Sequence, residues 1–149
     1  MTATNSERRQ ILRAQHCGLR VTIETARGTA RSMLARKGTV AELQQAVTAL
    51  QQELLAHLAD EERLLVPILP QLDAWGKVRL DLLYAEHAHQ RAVLVVLTGK
   101  SAWPAAAVVA GRTLALCDDL LEDMAFEERE LLNENVLRDD LILLDASDC

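Results

Sequence analysis

Aromatic side chains are nearly missing from this chain: two Trp, one Tyr and one Phe, 3% of its 149 residues. Sandwiches and barrels fill their cores with aromatic and β-branched residues, so a sheet-built core is not expected. Three prolines and six glycines are too few for the closely spaced turns that short strands require. The three cysteines, Cys17, Cys117 and Cys149, are scattered and odd in number, and no CxxC occurs. That excludes a disulfide framework and fits the reduced thiols of a cytoplasmic protein. Cys17 and Cys117 fall in helical patterns and are expected to be small apolar fillers. Positive charge is also in deficit, at a net −6. Phosphate contacts need clustered Lys and Arg, so no nucleic acid and no anionic membrane is expected as a partner. The mildly basic stretch Ala26–Lys37 reads as a solvated helix face. The longest apolar run, Ala92–Leu97, is far below the roughly 20 residues that span a bilayer. The opening "MTATNSERRQ" carries no apolar signal segment. No phosphate-binding or dinucleotide-binding glycine motif and no nucleophile elbow is present, so nothing identifies an organic substrate.

What remains is rich in Leu, Ala and Val, half apolar overall, and strongly periodic. Apolar residues at alternating spacings of three and four mark one face of a helix. Leu12, His16, Leu19, Ile23, Ala26, Ala30 and Met33 form the first row, opening after Asn5 or Ser6 and closing at Gly38. Thr39 and Glu42 make a capping box for a second helix, whose inner row is Leu43, Val47, Leu50, Leu54, His57, Glu61 and Leu64. Pro67 and Pro70 end it. A third helix runs from near Asp73 to Gly99 through Leu80, Leu83, His87, Gln90 or Arg91, Leu94 and Leu97. After "GKSAWP", with Pro104 suited to a first turn, the fourth carries Val109, Thr113, Leu116, Leu120, Asp123, Glu127 and Leu131. Long helices joined by short loops lie antiparallel. The expected fold is all-α, an up-down-up-down antiparallel four-helix bundle. It is read as a single domain over 1–149, with a core of about 6–134 and a C-terminal tail, 135–149, that docks as a short segment and frays at its end.

Polar residues interrupt the rows at matched places. "HLADEERLL" (57–65) and "DMAFEEREL" (123–131) both carry a potential metal ligand four residues before an acidic pair. The first and third helices each add a histidine, His16 and His87. The chain therefore reads as two copies of one helical hairpin. Residues four apart share a helix face, so His57 with Glu61, and Asp123 with Glu127, point inward. Three histidines and three carboxylates are expected to converge from all four helices. Without a partner such a layer is costly, because an unpaired buried charge costs several kcal/mol. Two divalent ions with a bridging hydroxide balance it, and imidazole with carboxylate suits iron, manganese or zinc. Taken alone, each histidine reads as a hydrogen-bonded core residue and each acidic pair as a solvated face. Their recurrence in both halves favours a metal site. Glu62 and Glu128 follow the inner acids by one position, turn about 100° away, and are expected to pair with arginine or face water. His89 is expected outside. Tyr84 and Arg91 share the face of His87 as candidate second-layer donors, while Arg91 reads equally as snorkelling out to solvent.

At these residues the chain resembles the hemerythrin-like superfamily, the HHE cation-binding domain. "QHCGLR", "HLADEERLL", "EHAHQRAVL" and "EDMAFEERELL" follow that pattern in order, over roughly Gln10 to Leu132. The resemblance implies His16, His57, His87 and Glu61 as iron ligands. It also implies Glu61 and Glu127 as bridges between two irons joined by an oxo or hydroxo group, with manganese or zinc as second choices. The family usually has histidine where this chain has Asp123. The oxygen carriers place a second histidine one turn from the first on helix three, where this chain has Leu83 and Arg91. The resemblance therefore implies not reversible oxygen carriage but binding or sensing of dioxygen, peroxide or iron. Two alternatives stay open: a degenerate, metal-free bundle acting as an interaction module, and a mononuclear or zinc site on His16, His57 and Glu61.

Overall fold

A computed structural model describes residues 2–99 and 105–140. Four long helices account for most of them: α1 (Asn5–Leu34), α2 (Val40–Leu65), α3 (Gly76–Thr98) and α4 (Ala106–Glu130). A single 3₁₀ turn, Leu69–Gln71, follows Pro67 between α2 and α3. No strand occurs among the described residues. The architecture is the expected all-helical four-helix bundle. No described helix is long and apolar enough to cross a membrane.

The helix ends follow local chemistry. Both N-termini of the first hairpin carry complete capping boxes. Glu42 N–H donates to Thr39 Oγ1 at 3.2 Å while Thr39 N–H donates to Glu42 Oε2 at 2.8 Å. Thr4 and Glu7 repeat the pattern, so α1 is capped by Thr4 and not by the Asn5 or Ser6 that periodicity suggested. Gly38 does not take the left-handed cap after α1. That φ belongs to Arg36, at 58°, and the chain has already left the helix at Ala35. Asp73 likewise lies outside α3. Its carboxylate accepts from the Trp75 N–H at 2.8 Å and its carbonyl from Gly76 N–H, so the helix begins three residues later than expected. Gly99 closes α3 in an extended conformation. Gly76 is there for space, since a Cβ would lie 1.9 Å from the Leu69 carbonyl oxygen. Pro104 and residues 141–149, including Cys149, lie outside the described residues.

The rows read from periodicity are the buried ones. From Leu12 to Ala30 on α1, and from Leu43 to Leu64 on α2, every expected inner residue is buried. On α3 the inner position after His87 is Gln90, not Arg91. Helix α1 packs closely along both α2 and α4, whereas α3 meets its neighbours over a much smaller stretch. The segment after α4 docks against the start of α1: Leu132 and Leu137 are buried, and Asn5 Nδ2 donates to the Arg138 carbonyl at 2.6 Å.

The apolar interior is in two parts. One cluster runs from Leu19 and Leu58 through Leu94 to Leu120 and Met124. The other gathers Leu12, Leu64, Leu83, Leu131 and the loop residues Leu69 and Leu72. On each helix the gap between the two clusters holds a polar side chain: His16, Glu61, His87 and Glu127.

Candidate metal centre

Helical spacing puts these groups at one level. His16 sits one turn from Leu12 and from Leu19, and His87 sits one turn from Leu83 and from Gln90. Both imidazoles are buried, as are His57 and Glu61. Glu127 keeps 15% of its side chain exposed, and Asp123 is half-buried.

Each imidazole is held from outside through Nδ1. His16 Nδ1 lies 3.0 Å from Glu128 Oε1, which also accepts from Arg20 Nη1 at 2.8 Å. His87 Nδ1 lies 2.8 Å from Glu62 Oε1, which accepts from Arg91 Nη1 at 2.7 Å. His57 Nδ1 lies 2.9 Å from Gln15 Oε1, whose amide nitrogen donates to Asp60 Oδ2 at 2.7 Å. An ionised carboxylate only accepts, and an amide oxygen only accepts. Each Nδ1 therefore carries a proton, and the second ring nitrogen, Nε2, is the one turned inward. This is the arrangement that orients a histidine as a metal ligand.

The inward atoms meet unevenly. His16 Nε2 is 3.3 Å from Glu127 Oε2, but off the direction of a hydrogen bond, so it stays without a partner. Glu61 Oε2 lies 3.1 Å from His87 Nε2 and 3.6 Å from His57 Nε2, bridging two helices. Its other oxygen, Oε1, is buried without a partner. The rings of His16 and His57 stand edge to face, with centroids 5.0 Å apart. Ligand atoms of His16, His57 and Glu127 all lie within 4.8 Å of one another. Asp123 does not join that group; its Oδ2 accepts from Gln90 Nε2 at 3.0 Å. No second group of three such residues converges among the described residues.

The electrostatics suit a cation. Burial lowers the His57 pKa to about 4, with Glu61 opposing and the neighbouring histidines adding to the shift. That ring is a neutral imidazole with a free lone pair at ordinary pH. Burial works to lower His16 and His87 too. The acids around them outweigh it: both are raised, His16 by the nearby Glu127 and the hydrogen-bonded Glu128, and His87 by Glu61 and Glu62. Burial, then the charge of Glu61, pushes Glu127 well above the usual carboxylate range. Burial raises Asp123 as well, while Gln90 opposes the shift. The carboxylates and the raised histidines thus share protons across the layer, and a bound cation would take the place of those protons. A cation would accept the partnerless lone pairs of His16 Nε2 and Glu61 Oε1, so the residues present fit one.

Residues 8–134 match the hemerythrin HHE cation-binding domain. The chain belongs to the hemerythrin family. No curated protein and no solved structure matches it. Membership makes cation binding the family's property, and the His16–His57–Glu127 cluster is where this hemerythrin-like chain has the groups for it.

Several residues differ from their sequence reading. Glu62 and Glu128 do pair with arginine, and each also holds a histidine, which sequence alone did not indicate. Arg91 reaches His87 through Glu62. Tyr84 is 47% exposed and lies outside the site, because it falls on the solvent side of the α3 face. Cys17 is exposed and fills nothing, whereas Cys117 is buried. His89 is exposed as expected. Arg20 and Gln15 were missed. Arg20 had a visible signal, since it follows His16 by the same four residues that separate Arg91 from His87.

Proposed function

We propose that this hemerythrin-family protein is a non-haem di-iron protein that binds or senses dioxygen, peroxide or iron. His16, His57, Glu61, His87, Asp123 and Glu127 are its proposed ligands, with Glu61 and Glu127 between the two ions. The observation that carries the reading is the layer of inward Nε2 atoms, each ring fixed at Nδ1 from outside, facing the carboxylates of Glu61 and Glu127. Imidazole mixed with carboxylate is a donor set for iron, manganese and zinc. Two bound irons would supply electrons and an open coordination position for a small oxygen ligand. The protein's own part is to hold the imidazoles in one tautomer, to keep the layer between two apolar clusters, and to supply charge that balances the ions.

A mononuclear site on His16, His57 and Glu127 is the second reading, favoured by the convergence of those three groups alone. Metal count and colour separate the two. The chain expressed with added iron and purified should hold about two irons and show near-ultraviolet oxo-to-iron absorption. One colourless zinc per chain would support the mononuclear site. Absence of any metal after iron supplementation would remove both.

A further inference from the structure

The two halves of the bundle are not equal. Three residues after His16 comes Leu19, buried and apolar; three residues after His87 comes Gln90, buried too at 6% exposure. Packing at this level is satisfied by a leucine in one half, so it does not demand an amide in the other. The amide's orientation is fixed by its neighbour. Asp123 offers only acceptors when ionised, so Gln90 turns its NH₂ to Asp123 Oδ2, at 3.0 Å. That leaves Oε1, which is buried and has no partner. Gln90, Asp123, His57, Glu61 and Glu127 line one cavity with about 10 Å³ of free room, roughly that of a single water. Buried acceptors are normally satisfied, and this one belongs to the wall of a cavity whose other polar residues are the proposed ligands.

The same half holds Asp123, matched in the first half by His57. Its carboxylate is shorter than an imidazole and lies outside the convergent group. The second half thus replaces one nitrogen donor by a carboxylate and adds an amide oxygen beside it.

We propose that Gln90 is a metal ligand, its Oε1 and the neighbouring Asp123 carboxylate supplying the oxygen donors of a second cation position beside the imidazole-rich position of His16 and His57. The inference rests on the two-ion reading. Gln90 Nε2 keeps the Asp123 carboxylate oriented, and both side chains line the same cavity. Oxygen donors suit harder divalent ions such as manganese, so Mn²⁺ is the natural probe.

The experiment titrates the metal-stripped full chain with Mn²⁺ and reads the free-ion electron paramagnetic resonance signal, with circular dichroism verifying the helical fold of each variant. The wild-type chain should remove two Mn²⁺ per chain. Gln90→Leu should remove one, its second affinity falling more than about tenfold. Gln90→Glu, which keeps an oxygen donor and nearly the same shape, should still remove two. Two ions bound by Gln90→Leu with wild-type affinity would overturn the role of Gln90 and leave the two-ion reading standing. So would loss of the second ion in a folded Gln90→Glu. Fewer than two Mn²⁺ on the wild-type chain would overturn the two-ion reading itself, and the inference with it.

Discussion

His16 and Glu128 meet across α1 and α4 with 3.0 Å between Nδ1 and Oε1. The same contact recurs across α2 and α3 between His87 and Glu62, at 2.8 Å. In each pair an arginine four residues after the histidine holds the glutamate's same oxygen. Neither glutamate is a proposed ligand, yet each fixes the tautomer and aim of one. Glu62→Ala and Glu128→Ala should each weaken metal binding by about 10–100-fold while leaving the helices intact. Glu130→Ala, which removes an exposed partner of Arg129 alone, should change affinity little. Competition with a coloured chelator measures all three.

Cation binding should appear as thermal stability. A ligand that binds only the native state at 100 times its Kd contributes about 2.7 kcal/mol, a rise in Tm of roughly 5–10 °C for a chain of this size. Adding Fe²⁺ anaerobically to the stripped protein should give that rise, and a chelator should reverse it. His57→Ala should abolish the response, because it removes one of the three convergent groups. An equal rise in that variant, followed by differential scanning calorimetry, would count against the site.

Gly76 and Gly28 should answer the same substitution with opposite signs. A Cβ on Gly76 would lie 1.9 Å from the Leu69 carbonyl oxygen, while one on Gly28 meets nothing within 4 Å. Gly76→Ala forces the 3₁₀ turn aside and should cost about 1–3 kcal/mol. Gly28→Ala, inside α1, should stabilise by about 0.5–1 kcal/mol. Urea midpoints at constant slope measure both.

The cysteines should react at separate rates. Burial pushes the Cys117 thiol up to about 12, so only about one molecule in 10⁴ is thiolate at pH 8, and the thiolate is the reactive form. Cys17 is exposed. In a Cys149→Ser background, one thiol should react promptly with a disulfide reagent and the second only after denaturant is added. Two prompt thiols would contradict the buried position of Cys117.

The parts of the structure visible in the sequence were those set by repetition along a helix. Row positions such as Leu12, Ile23, Leu50 and Leu94 recur every three or four residues, and burial follows that recurrence. The capping box at Thr39 is equally local. Helix ends set by individual turns were less legible. Arg36 takes a left-handed φ that composition assigns to Gly38, and Asp73 ends a loop where its residue type suggested a helix start. The inward sense of His16, His57, Glu61 and His87 was readable from their neighbours. Contacts between helices were not. The pairing of Glu62 with His87, or of Gln15 with His57, depends on how far one helix is rotated against the next, and no spacing within a single helix encodes that angle. Gln90 and Arg91 were indistinguishable for the same reason, since either can close a three-or-four step.

The ligand layer also divides the bundle's interior, lying between the cluster around Leu50 and the one around Leu69. It is a seam. With a cation in it, the two apolar halves are clamped by bonds that cross all four helices, and the molecule is expected to open as one unit. Stripped, the seam is held by histidine–glutamate contacts and keeps the partnerless His16 Nε2 and Glu61 Oε1, a weaker join between the two apolar halves. Amides near Leu64, Leu83 and Leu132 should then exchange with deuterium ahead of those near Leu50 and Leu94, so the state of the metal would set how many pieces the protein melts in.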